Sequence, residues 1–180
     1  MIDEGRIINQ LKDKSQRERA FSTLVHEYQE VLYWQIRRLV ISHDDADDVL
    51  QNTFLKAWMA LDDFRADSKI STWLFRIAIN ESLSFLEKKK RSTDLISGTD
   101  DFLANQLQAD SYFDGDETQR LLQKAIAQLP DKQKAVFNLK YFQEMKYEDM
   151  SQVLNTSIGA LKASYYHAVK KISDFFQLND

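Results

Sequence analysis

The sequence predicts an all-α chain, on three observations. Only 4 glycines and 1 proline occur among 180 residues, against an average usage of about 7% and 5%. Sheet proteins turn tightly every few residues, and those turns consume both residue types. Apolar residues recur at three- and four-residue steps through most of the chain, the period of an amphipathic helix. With 43% hydrophobic and 29% charged residues, the chain has ample material for a core and a solvated surface.

The elements follow in order. Ile7, Ile8 and Leu11 mark a short first helix. Ser15-Gln-Arg-Glu18 has the form of a capping box, in which Ser and Glu reciprocally satisfy orphan amides at a helix start. Behind it Phe21, Leu24, Val25, Tyr28, Leu32, Ile36 and Leu39 keep helical spacing. Ser42 supplies the next N-cap, with Asp44 and Asp45 favoured by the helix dipole. Ala46, Val49, Leu50, Thr53, Phe54, Ala57, Trp58 and Leu61 then form a core stripe. Residues 62–70 read as a loop. A helix from about Ser71 to Lys90 runs through Trp73, Leu74, Ile77, Ala78 and Phe85 into Lys88-Lys89-Lys90-Arg91, a basic run suited to a helix C-terminus.

Charge divides the chain. Residues 1–91 carry 15 Lys/Arg and 15 Asp/Glu, residues 92–117 carry 7 acids and no base, and residues 118–180 carry 9 bases and 6 acids. The acidic stretch also holds Ser92, Thr93, Ser97, Gly98, Thr99 and Gly115 with weak periodicity, so it reads as a linker. The expected division is a helical domain at 1–91, a flexible acidic linker at 92–116 and a second helical domain at 117–180. In the second domain Asp116 can cap a helix with Leu121, Leu122, Ala125, Ile126 and Leu129, and Pro130 stops it and opens the next. A short helix Tyr147 to Leu154, a three-residue turn and a long helix from Ile158 to about Phe176 outline a helix-turn-helix.

Several chemistries are excluded. With no cysteine there is no disulfide, thiol nucleophile or Cys-ligated metal. The three histidines, His26, His43 and His167, form no metal-binding pair. No glycine-rich phosphate loop is present, so no metal, no cofactor and no enzymatic activity are expected. No apolar run approaches the roughly 18 residues of a membrane span, and the N-terminus lacks a basic start followed by an apolar stretch. A cytoplasmic protein without direct membrane insertion is expected.

Three constellations bear on function. On the helix at 46–61, Asp48, Gln51, Asn52, Leu55 and Met59 form a second stripe outside the complete core stripe. It reads either as scattered surface apolars, which are normal, or as a partner-binding face. Phe64, Arg65, Ser71, Thr72, Trp73, Arg76 and Asn80 combine aromatics, guanidinium groups and an amide, a mixture that suits single-stranded nucleic acid. The other reading makes Trp73 core and Arg76 a solvated side chain. On the last helix, Leu161, Tyr165, Ala168 and Ile172 make the buried stripe. Gly159, Ala163, Tyr166, His167 and Lys170 then face outward with Lys162 at the border, either as a major-groove surface or as an ordinary amphipathic helix.

Motifs tie these constellations together. Asp45-Ala-Asp-Asp-Val-Leu-Gln-Asn-Thr-Phe-Leu-Lys-Ala-Trp58 resembles the polymerase-binding region 2.2 of extracytoplasmic-function (ECF) sigma factors. Ser71-Thr-Trp-Leu-Phe-Arg-Ile-Ala-Ile-Asn80 looks like their promoter-melting helix. Tyr147-Glu-Asp-Met and Ser157-Ile-Gly-Ala-Leu-Lys-Ala-Ser-Tyr-Tyr-His-Ala168 are similar to their region 4 helix-turn-helix. The three stand in family order and cover about residues 15–91 and 117–176.

The resemblance implies a bacterial transcription initiation factor made of a region 2 bundle and a region 4 domain. Asp48, Gln51, Asn52, Leu55 and Met59 would dock on the clamp helices of the polymerase β′ subunit. Phe64, Arg65, Ser71, Thr72 and Asn80 would hold a base flipped from the −10 element, with Arg76 on phosphates and Trp73 mainly packing. Lys162, Ala163, Tyr166, His167 and Lys170 would meet the −35 element. The linker would thread a basic channel of core RNA polymerase, whose β′ and β subunits are the implied protein partners. The resemblance also implies an anti-sigma factor, which in the family is often membrane-linked. Ser164 and His167 stand where the family often has Arg, which lowers the cationic grip of this helix. Glu144 and Lys146 replace the usual Gly and Ser before the first helix of the motif and weaken its cap. The rival reading is a stand-alone helix-turn-helix regulator, which leaves the Leu55/Met59 face idle and fits poorly with a net charge of −4.

Overall fold

The computed structural model describes residues 3–93 and 117–179, and every regular element among them is helical. The helices are α1 (Glu4–Lys12), α2 (Arg17–Val40), α3 (His43–Met59), α4 (Ile70–Thr93), α5 (Glu117–Ala127), α6 (Asp131–Tyr141), α7 (Tyr147–Leu154) and α8 (Ile158–Asn179), with a 3₁₀ turn at Leu61–Asp63. The all-α expectation holds. The acidic linker and the Asp116 cap lie outside the described residues, apart from Ser92 and Thr93, which continue α4.

Local chemistry sets the ends. Asp3 caps α1 by accepting from the Arg6 amide at 3.1 Å. Ser42 caps α3 as expected, its Oγ accepting from the Asp45 amide at 3.4 Å. The capping box at Ser15 does not form. Asp13 takes both the Ser15 amide (2.9 Å) and the Ser15 hydroxyl (2.7 Å), together with the Gln16 side chain (2.8 Å). A carboxylate two residues upstream wins because a charged acceptor makes the stronger hydrogen bond. These bonds hold the Asp13 carboxyl below its ordinary pKa. α2 therefore starts at Arg17 without a side-chain cap.

Helices α1–α4 enclose a core of Leu24, Leu32, Ile36, Leu39, Ile70, Leu74 and Ile79. A second core lies among α5, α6 and α8, where Ala125, Ile126, Leu129, Phe137, Ala168 and Ile172 pack together. The two halves are not separate bodies. α7 and α6 pack on α4, and α6 also packs on α2. Ala135, Val136, Leu139, Met150, Val153 and Leu161 thereby join the cluster of the first half.

The seam explains the odd burial of α6. Its six successive residues from Lys134 to Leu139 are all buried, although an amphipathic surface helix should bury only one face. Phe137 serves the second core while Ala135, Val136 and Leu139 serve the first. Polar side chains are buried as well. Gln35 of α2 and Asn138 of α6 are both fully buried, and neither amide finds a hydrogen-bond partner. Each buried polar group left unmet costs about 1–3 kcal/mol.

Candidate protein and nucleic-acid interfaces

α3 presents two opposite faces. Ala46, Val49, Thr53 and Ala57 are buried, and the Thr53 hydroxyl is quenched by donating to the Val49 carbonyl at 2.7 Å. Asp48, Gln51 and Asn52 are exposed, and Leu55 and Met59 are 60% and 79% exposed. All five residues of the expected docking stripe thus share one solvent-facing side. Two ion pairs fix α3 against α4, Lys89 to Asp45 at 2.5 Å and Lys56 to Glu81. A helix held at both ends offers its outer face with little loss of freedom on binding.

Trp58 belongs with this face. The sequence stripe assigned it to the core, yet it is 38% exposed and meets Phe21 edge-on at 5.1 Å. Its spacing from Leu55 was the available signal, because residues three apart on a helix share a side. The result is an exposed apolar cluster of Leu55, Trp58 and Met59 rimmed by polar groups, the composition of an interface centre.

The second constellation surrounds the start of α4. Phe64 lies against Trp73 with ring centroids 4.9 Å apart. Arg65 is exposed beside Ala66, whose φ of 60° turns the chain back toward α4. Arg17 anchors the 3₁₀ turn by donating to Asp62 at 2.7 Å. Thr72 is buried, while Arg76 and Asn80 are exposed and follow it at four-residue steps. Ser71 is half-buried and hydrogen-bonded to Tyr28. Burial pushes the Tyr28 hydroxyl above its ordinary pKa, with Glu4 and Glu27 adding to the shift. The open polar groups here are Arg65, Arg76 and Asn80. Phe64 and Trp73 form their half-buried aromatic floor.

The third constellation is the helix-turn-helix, whose first helix, turn and second-helix start coincide with the sequence expectation, while α8 runs on past Phe176 to Asn179. Asn155 makes the turn in the left-handed region (φ 48°, ψ 48°). The Ser151 hydroxyl locks it by donating to the Thr156 carbonyl at 2.7 Å. Ser157 accepts from the Ala160 amide at 3.3 Å and so caps α8. The weak cap on α7 is as expected, since Lys146 makes no side-chain capping bond. Lys162, Ala163, Tyr166, His167 and Lys170 are all exposed, with Tyr166 at 66%. A Cβ added to Gly159 would meet nothing within 4 Å, so no contact inside the chain demands a glycine there. Among the described residues no cluster of His, Asp or Glu is arranged to hold a metal ion. No described helix is long and apolar enough to cross a membrane.

These arrangements have counterparts in known proteins. The family description Sigma-70 region 2 matches residues 24–92, and Sigma-70, region 4 matches residues 119–172. The chain is 32% identical to the ECF RNA polymerase sigma factor SigW of Bacillus subtilis, over 79% of this chain and 81% of the relative. It is 31% identical to the RNA polymerase sigma-H factor of Pseudomonas aeruginosa, over 93% of each. Its fold is similar to that of CnrH, solved in complex with the cytosolic domain of CnrY, with a TM-score of 0.70 and 25% identity over 98% of this chain and 99% of the other.

Proposed function

The chain belongs to the ECF sigma factors of bacterial RNA polymerase, and on that footing we propose that three of its faces contact core polymerase, the −10 element and the −35 element. As a sigma factor it is a transcription initiation factor that directs polymerase to promoters. It does so by positioning another enzyme's active site and performs no chemistry of its own. The observation that carries the assignment is the exposed Leu55, Trp58 and Met59 cluster on a helix whose other side already fills a core. Apolar area of that kind needs a protein partner, and the polymerase clamp is the partner a region 2 helix takes.

The other faces divide the promoter between them. Arg76 meets the phosphate backbone, and Asn80 with Arg65 and the half-buried Ser71 surrounds a base taken out of the stack over the Phe64 side, while buried Thr72 supports them from beneath. Donors and acceptors of an amide repay part of what unstacking costs. Lys162, Ala163, Tyr166, His167 and Lys170 of α8 enter the major groove at the −35 element, where the open space at Gly159 permits close approach. The domain limits that go with this reading are 1–91 and 117–180. An anti-sigma factor completes the partner set, as the resemblance to the family implies.

The experiment is an electrophoretic shift on one promoter fragment, with and without core polymerase, joined to permanganate footprinting. Phosphate neutralisation supplies most DNA affinity at physiological salt, and this chain carries net −4. The free protein should bind duplex DNA no better than about 10⁻⁴–10⁻⁶ M, the non-specific range. With core enzyme it should form a specific, melted complex. Tight, specific binding by the free chain without melting would return the assignment to a stand-alone regulator.

A further inference from the structure

We propose that Arg17 is a positioning residue for −10 recognition, its guanidinium fastening the loop that carries Phe64 and Arg65 to the junction of α1 and α2. The proposal deepens the sigma-factor reading and rests on it for what the loop touches, while the tether itself stands on geometry alone.

The tether has two ends. The Arg17 Nε donates to the Leu11 carbonyl at 2.9 Å, and Nη2 donates to the Asp62 carboxylate at 2.7 Å. Leu11 is buried near the end of α1, so the first bond ties the guanidinium to the edge of the core. Two donors of one planar, rigid fork are engaged at once, which fixes the direction of the second bond as well as its length. The Arg17 side chain is 20% exposed and that of Asp62 76% exposed, so the anchor sits inside and the segment it holds sits outside. The turn ahead of Arg17 is itself fixed, because Asp13 gathers the Ser15 amide and hydroxyl and the Gln16 side chain.

The held segment needs such support. Asp62 lies in the 3₁₀ turn Leu61–Asp63, two residues before Phe64 and three before Arg65. The Asp63 and Phe64 amides close that turn on the Ala60 and Leu61 carbonyls at 3.1 and 3.3 Å. A 3₁₀ turn this short has poor hydrogen-bond geometry and is weak alone. Ala66 follows with a φ of 60°, a conformation disfavoured for any residue with a Cβ. Trp73 supports the Phe64 ring from one side, with centroids 4.9 Å apart, and Arg17 holds the near end through Asp62. Tyr28 lies eleven residues after Arg17, three helical turns on, and so shares its side of α2. It meets Ser71, where the loop has run into α4. α2 thus braces the loop at its entrance and at its exit, and the groups around a flipped base inherit that spacing. An isolated ion pair with one exposed partner adds little to stability, so the effect of Arg17 falls on placement rather than on folding.

The test uses the full chain. R17M keeps the bulk of the stem and removes every donor, while R17K restores a charge without the fork. In transcription with core polymerase over all single-base variants of the −10 element, R17M should compress the spread between best and worst base at one position by about tenfold. R17K should recover part of it. Affinity for core polymerase and the ranking of −35 variants should stay at parental values, and the melting temperature close to them. D62A should reproduce the change, and R17M/D62A should add little to either single substitution. In the free chain, hydrogen exchange at the Asp63 and Phe64 amides should quicken about tenfold in R17M and in D62A, with exchange in α3 unchanged. A uniform loss on every −10 variant, or R17M and D62A effects that simply add, would overturn the proposal and leave Arg17 a structural residue. Parental exchange rates in R17M would overturn it as well. A parent chain without any −10 dependence in the presence of core polymerase overturns the sigma reading instead, and the exchange rates then still decide whether the tether holds the loop.

Discussion

The Arg38 guanidinium lies 4.2 Å from the centre of the Phe142 ring and joins α2 of one half to the end of α6 in the other. Cation–π pairs of this kind contribute about 0.5–2 kcal/mol, more when partly desolvated. A double-mutant cycle with R38A and F142L, read by thermal unfolding, should give a coupling energy in that range. A coupling near zero would mean that the two groups are neighbours without mutual attraction.

The docking face predicts a separation of binding from stability. L55E with M59E should abolish association with core polymerase in a pull-down. The melting temperature should stay nearly constant, since surface substitutions usually move stability within about ±0.5 kcal/mol. W58A should weaken the same association and also lower stability modestly, because its ring packs on Phe21. Loss of folding in L55E/M59E would contradict their exposure.

Asn80 predicts a change in reading rather than in affinity. N80A should remove about 1–3 kcal/mol of discrimination at one −10 position, with polymerase binding intact. A scan of −10 variants giving identical rankings for parent and N80A would remove Asn80 from base recognition.

Lys134 predicts a pH dependence. Burial lowers its folded pKa, opposed by Asp131 and helped by Lys90. Below the folded pKa both states are protonated and the full cost of the buried charge opposes folding. Between that value and the ordinary 10.5, the unfolded chain holds more protons, so stability rises with pH. K134M should raise stability at neutral pH by about 1–2 kcal/mol and flatten that rise. Tyr28 and Tyr165, whose pKa values burial raises, act in the opposite sense above pH 10 and do so equally in both chains. A K134M melt that tracks the parent at every pH would show that the lysine reaches water.

Much of the fold was legible before the structure. α7, its turn and α8 sit where the sequence put them, because Asn155, Thr156 and Ser157 interrupt a strong apolar rhythm with side chains that bond their own backbone. What escaped depends on competition or distance. Asp13 outbids Ser15 for the role of capping acceptor, which spacing alone does not rank. Trp58 fits a core period and still lies at its edge. The seam was invisible because Lys134 and Asn138 of α6 are residue types that pattern analysis assigns to water. For the sites, the sequence identified residues that turn out to be exposed on α3 and α8. It did not foresee that Thr72 would be buried beneath Arg76 and Asn80.

The apolar patch formed by Val136, Leu139, Met150 and Val153 has a thermal consequence. Near 25 °C such contact is favoured by solvent entropy with little enthalpy, and its strength fades on cooling. Uncovering it raises the heat capacity. Moderate warming should therefore hold the two halves together more firmly and cold should loosen them, while each half remains folded. The chain would then respond to cold by exposing α6, a thermometer written in hydration.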